Sequence, residues 1–192
     1  MLARSLAPAA AGLEPGELRR VPEAVAGMLE LAPAAEELAG RLVGVVTLVV
    51  SGRGFAYSTA LELALKLKET CYVTAVGLSY ADLVHGPIAI VDPRTPALLV
   101  AAADGPMVPE MTSLAHRLAA TGAPVYGIGG DPGFAAACRS TLPDPPGGSL
   151  PEHLAPFALV VPGQLLAEAL ARATGLDPDA PRGLDKVTQT DA

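Results

Sequence analysis

The chain has 192 residues and a net charge of -7 at pH 7; 51% of its residues are hydrophobic but only 4% are aromatic. A length of this order encloses one substantial core, and with so few rings that core must come from Ala, Leu, Val and Ile. The charge excludes nucleic acid as a main partner, because binding a phosphate backbone needs clustered Lys and Arg, but it leaves room for a small anion held by a few local donors. Cys71 and Cys138 form no CxxC pair. With no secretory leader, the expected location is the cytoplasm, with both thiols reduced. The opening MLARSLAPAAAGLEPGELRR has an early arginine, but Pro8 breaks its apolar run and charges follow, unlike an export signal. No stretch supplies the ~20 apolar residues of a membrane span, so no membrane partner is expected.

Residues 1–40, rich in Ala, Pro and Glu, predict short helical pieces around Glu23–Leu31 and Ala34–Leu42. They read as a lead-in to a domain rather than as the start of its core. VGVVTLVVSGRG then predicts a buried, β-branched strand ending in the turn Ser51-Gly52-Arg53-Gly54. Tyr57 to Cys71 is built from good helix formers with no Gly or Pro. A strand at Val73–Val76, a short helix at Ser79–Val84 and a break at His85-Gly86-Pro87 follow. TPALLVAA is another buried strand, Pro106–Ala120 a helix and Pro124–Ile128 a strand closed by Gly129-Gly130-Asp131-Pro132. Phe157–Val161 reads as a last strand and Gln164–Thr174 as the final helix, leaving 175–192 as a tail. The alternation predicts an α/β fold, a three-layer αβα sandwich on a mainly parallel sheet spanning 41–174.

Such sheets bind ligands outside the carboxyl ends of their strands, and helix N-termini favour anions. The turn Gly52-Arg53-Gly54 therefore reads either as a tight connection only or as a candidate for substrate contact, and Glu62 of the following helix is carried as a further substrate-binding candidate. Neither GxGxxG nor GxxxxGK[ST] occurs, and no cofactor is expected.

The helix after SGRG carries Glu62, Lys66 and Glu69 at spacings of four and three, which puts them on one face. Its other directions are largely apolar, so it is expected to be mostly buried with one charged strip. The strip reads either as helical ion pairs at a cleft rim or subunit contact, or as a proton carrier, Glu69, tuned by Lys66. His85, beside Gly-Pro, suits proton transfer near neutral pH, although a lone histidine in a turn also has a structural reading. His116 falls in a helix and His153 in a Pro-rich loop; the three give no zinc spacing, and no metal is expected. Lys186 in the tail is either a solvated cation or, if the tail folds over a pocket, a desolvated amine able to meet a sugar carbonyl.

Taken together, SGRGFAYSTALELALKLKET, YADLVHGPIAIVD and DPDAPRGLDKVTQT resemble the second sugar-isomerase (SIS) half of the glutamine:fructose-6-phosphate amidotransferase family and its stand-alone relatives, over roughly residues 18–190. The ordered set GRG, ALE-x-ALKLKE, HGP and PR-x-L-x-K carries the likeness. The resemblance implies domains that work in tandem and as homodimers on a phosphorylated hexose or amino-hexose. It implies that Glu69 moves a proton between C1 and C2, that Lys66 positions or tunes that centre, and that His85 assists ring opening across the dimer. It also implies that Lys186 meets the open-chain carbonyl, while Glu62 has a supporting role.

Several features depart from the family pattern. There is no glutaminase segment and no SxSGxT phosphate loop, so an N-terminal SIS half is expected to come from elsewhere. Residues 1–40 resemble the segment joining two such halves, which makes the chain look like a C-terminal portion. Val84 stands where a lysine is common, and Leu63 stands where that helix usually has glycine, which would narrow the site. The KVTQT ending favours a glucosamine-6-phosphate deaminase or isomerase. The alternatives are the isomerase domain of an amidotransferase and a sugar-phosphate-binding domain without catalysis.

Overall fold

A computed structural model describes residues 15–144 and 149–184. Two helices, α1 (Pro15–Leu29) and α2 (Ala32–Leu42), precede strand β1 (Thr47–Gly52) and helix α3 (Ala56–Cys71). Strand β2 (Thr74–Ser79), the short helix α4 (Tyr80–Val84) and a 3-10 turn at Pro87–Ile90 follow. Next come β3 (Ala97–Ala101), α5 (Val108–Ala119), β4 (Val125–Gly129), α6 (Pro132–Ala137), β5 (Ser140–Leu142) and α7 (Ala155–Ala173).

The five strands pair in parallel in the order β2-β1-β3-β4-β5. Because side chains alternate along a strand, each central strand feeds two cores. Leu48, Val50, Leu98, Val100, Tyr126 and Ile128 join the core under α1, α2, α3 and α7. Val49, Ala97, Leu99, Ala101 and Val125 join the core under α4, α5 and α6. All five residues of β3 and of β4 are buried, as a sheet covered on both faces requires. This is the expected αβα sandwich.

Three expectations are corrected. Phe157–Val161 is not a strand but the first turns of α7. Its apolar run is compatible with either state by pattern alone, and the choice is made by packing: Ala158, Leu159, Val161, Leu166, Ala167 and Leu170 all enter the core. The last strand is instead the short β5, whose STL carries little apolar signal. The helices before β1 are not a bare lead-in, because Ala24, Met28, Ala35, Leu38, Ala39 and Leu42 are buried in the same core as the sheet.

Asp144, just after β5, lies in a desolvated position. Burial, with a smaller contribution from the Asp104 carboxylate, raises its pKa from 3.8 to about 6. A folded-state pKa above the unfolded one means that the native state gives up its proton reluctantly. Stability therefore falls as pH rises from about 4 to 6, and the deficit persists above that window. Asp144→Asn should raise stability at pH 7 by roughly 1–3 kcal/mol and leave it little changed at pH 4, as read by urea denaturation at the two pH values.

Candidate functional site

Helix α3 begins where β1 ends, so it runs back across the sheet and finishes beside the start of β2. Ala56, Thr59, Ala60, Leu63, Ala64, Leu67 and Cys71 form its buried face. The helix is less buried than its composition suggests: Leu61 and Leu65 are exposed at 43% and 41%. Leu63 does not narrow the charged strip, because it points into the core, where its side chain lies 3.5 Å from the place a Cβ on Gly163 of α7 would take.

The strip itself is assembled. Lys66 Nζ donates to Glu69 Oε2 at 2.6 Å and lies 3.8 Å from Glu62 Oε1. These side chains are about one-third exposed, so the pair is a positioned contact more than a source of stability. The hydrogen bond to Glu69, against the opposing effect of burial and helped by the charges of Glu69 and Glu62, raises the Lys66 pKa above 10.5. Lys66 is thus a cation at neutral pH and no candidate for a base. Its contribution to stability is complete below about pH 10.5 and is lost only as pH climbs through the raised value.

Near the other end of α3, a cleft of about 260 Å³ is lined by Ser58, Thr59, Glu62, Pro156, Phe157 and Val160. Phe157 is 59% exposed at its rim, and Thr59 Oγ1 is buried without a hydrogen-bond partner. Glu62 therefore connects the cleft to the charged strip. Sequence reading missed Thr59 and Phe157, since Phe157 was assigned to a strand and a threonine in an apolar helix carries no signal of its own.

The SGRG turn lies at the carboxyl edge, where the chain order reverses between β1 and β3. Arg53 Nε donates to Met107 Sδ at 3.0 Å, and the guanidinium lies 4.5 Å from the centroid of the Tyr80 ring. Arg53, Gly105, Met107 and Glu152 line a narrow cleft there. The Glu152 carboxylate occupies the space beside Gly54 and Gly105 that a β-carbon on either would need. His85 ends α4 and is exposed.

The candidates therefore fall into two groups. Glu62, Lys66 and Glu69 share one helix face, whereas Gly52, Arg53, Gly54 and His85 lie at or just beyond the carboxyl ends of β1 and β2. From Ala56 to Glu69 is thirteen residues, or about 20 Å of helix, so one copy of the chain does not bring Glu69 to Arg53. Lys186 lies outside the described residues. Among the described residues no cluster of His, Cys, Asp and Glu could hold a metal ion, and no helix is long and apolar enough to cross a membrane.

Comparison with known proteins gives this arrangement a context. The chain is 37% identical over 171 residues to a glutamine–fructose-6-phosphate aminotransferase (isomerizing) of Pyrococcus horikoshii, an alignment covering 89% of this chain and 28% of that protein. Its fold matches the C-terminal domain of the glucosamine-fructose-6-phosphate aminotransferase of Francisella tularensis, with a TM-score of 0.75 and 26% identity, covering 84% of this chain and 46% of that one. It also matches the fold of a glucosamine-6-phosphate deaminase from Thermotoga maritima, with a TM-score of 0.68 and 24% identity, covering 96% and 52% of the two chains. The chain thus spans less than a third of the length of the curated relative and about half of each solved structure. Residues 42–142, which hold the whole sheet together with α3, α4, α5 and α6, match the SIS domain model, and the chain belongs to the SIS domain family.

Proposed function

We propose that this chain is the C-terminal SIS half of an enzyme that isomerises or deaminates an amino-hexose phosphate such as glucosamine-6-phosphate, with Glu69 as the proton carrier. The observation that carries the reading is the 2.6 Å bond from Lys66 to Glu69 on a partly exposed helix face, with Glu62 beside it. The open-chain aldose presents its C2 proton to the Glu69 carboxylate. The released electron pair forms the C1=C2 bond while the C1 carbonyl oxygen takes up a proton. Glu69 then returns its proton to C1, and the C2 substituent loses one, leaving a ketose or its imine. With nitrogen at C2, water hydrolyses the imine and ammonia leaves.

The protonated Lys66 holds the carboxylate in place, and a general base of this kind is worth about 10²–10⁴ in rate. Since His85 lies at the opposite edge, ring opening by it at this centre requires the His85 of a second copy, in keeping with a homodimer. The sugar phosphate is gripped by an N-terminal SIS half supplied from elsewhere, and Lys186 meets the opened carbonyl. Arg53, Gly52 and Gly54 then belong to the edge turned toward a neighbouring subunit's site.

The likeness to aminotransferases, 37% identical over this region, favours a second reading in which the same proton transfer serves fructose-6-phosphate and ammonia. The two are separated by incubating the protein with glucosamine-6-phosphate, or with fructose-6-phosphate plus ammonia, and measuring ammonia release or amino-sugar formation. Turnover that survives Glu69→Gln overturns the assigned base. Saturable sugar-phosphate binding without turnover replaces the enzyme with a sensor.

A further inference from the structure

Tyr72, directly after α3, is the one non-glycine residue with positive φ among the described residues, at φ 57 and ψ 25. A left-handed residue is a common way to end a helix, but Gly or Asn usually fills the position, because a bulky L side chain there is strained. Two contacts account for a tyrosine here. Its Oη accepts the backbone N–H of Arg182 at 2.9 Å, and its ring lies 3.8 Å beneath the Arg182 guanidinium. The contact spans 110 positions of sequence.

The segment carrying Arg182 is fixed at its near end as well. After α7, the Leu176 N–H donates to Ala171 O at 2.9 Å, and Leu176 packs against the core. A turn at Asp177–Ala180 follows, and the chain then reaches Tyr72. Arg182 is thereby held at the end of α3 that carries Glu69. Tyr72 is three residues from Glu69, less than one helical turn, whereas Arg53 lies a whole helix away, about 24 Å.

We propose that Tyr72 is a positioning residue: with Arg182 it forms a clasp that tethers the segment after α7 at the end of α3 that carries Glu69. The proposal rests on the functional reading above. It also gives the arginine of the PR-x-L-x-K motif a purpose that needs no contact with substrate.

The test uses the whole chain with Tyr72→Asn, which tolerates the left-handed backbone, Tyr72→Phe, which keeps the ring, and Arg182→Ala from the other side of the clasp. Tyr72→Asn and Arg182→Ala should each lower kcat about ten-fold and leave KM for the sugar phosphate within two-fold, with an unchanged melting temperature. Tyr72→Phe should retain most of the turnover. Hydrogen exchange followed by mass spectrometry should show faster exchange in peptides covering 178–184 for the first two variants. Faster exchange with kcat within two-fold of wild type overturns the positioning role, while Glu69→Gln still reports on the base. If the wild-type protein turns over neither sugar phosphate, the functional reading fails and exchange alone judges the clasp: unchanged exchange in Tyr72→Asn overturns it, and faster exchange sustains the anchor.

Discussion

Replacing Glu69 with glutamine should lower turnover of the sugar phosphate by about 10²–10⁴, the range a positioned general base contributes. The amide keeps the size of the carboxylate and can still accept from Lys66 Nζ, so the helix should fold as before and the melting temperature should move little. What is lost is the ability to accept a proton from carbon, together with the charge that pairs with Lys66. The contrast is with Lys68, next to Glu69 in sequence and outside the ion-paired strip, whose removal should leave turnover within a few-fold. Steady-state rates for both variants, with thermal melts alongside, check the result. Equal losses from the two would show that the strip as a whole, not the carboxylate, matters.

The largest stability effect is expected at Gly129, the last residue of β4. Its φ is +70, and a β-carbon there would collide with the Ala101 carbonyl oxygen of β3 and sit 2.6 Å from Leu159 Cδ2 of α7. The carbonyl belongs to a fully buried central strand and cannot swing aside. Gly129→Ala therefore combines a left-handed alanine, about 1 kcal/mol, with overpacking of about 1–3 kcal/mol. A loss of about 2–4 kcal/mol is a large share of a typical total stability of about 5–15 kcal/mol. In a chain of this size it should lower the melting temperature by roughly 5–15 °C. Gly44 is the control, since its φ of +82 is similar but nothing lies within 4 Å of a β-carbon there. Its alanine variant should show only the backbone strain. Similar losses at both positions would mean that the contact with β3 contributes nothing.

Much of the framework was legible in the sequence because it follows from period and composition. The β-branched run before SGRG had no plausible state other than a buried strand, and Glu62, Lys66 and Glu69 share a face by helical geometry alone. FALVV was misread because a short apolar run fits a buried strand and a buried helix equally well; what decides is the face that α3 and the sheet offer it. Residues 15–42 were undervalued for a related reason, since Met28, Leu38 and Leu42 reveal their burial only once α7 is in place beside them.

The site divides in the same way. The ion pairs are local and could be read, whereas the Tyr72–Arg182 contact joins residues 110 positions apart and leaves no periodic trace. The separation of Glu69 from Arg53 was readable in principle, because a helix joining two parallel strands must run from the carboxyl edge back to the amino edge.

That helix-long separation has a consequence for how substitutions combine. Residues more than about 7–10 Å apart with no shared partner change folding free energy almost independently, to within about 0.5 kcal/mol. A variant altered at both Arg53 and Lys66 should therefore unfold as the sum of its parents predicts. Turnover obeys no such rule if a working centre draws its pieces from two copies: there the same pair of changes would interact, and thermodynamic additivity alongside kinetic non-additivity would mark a centre shared between subunits.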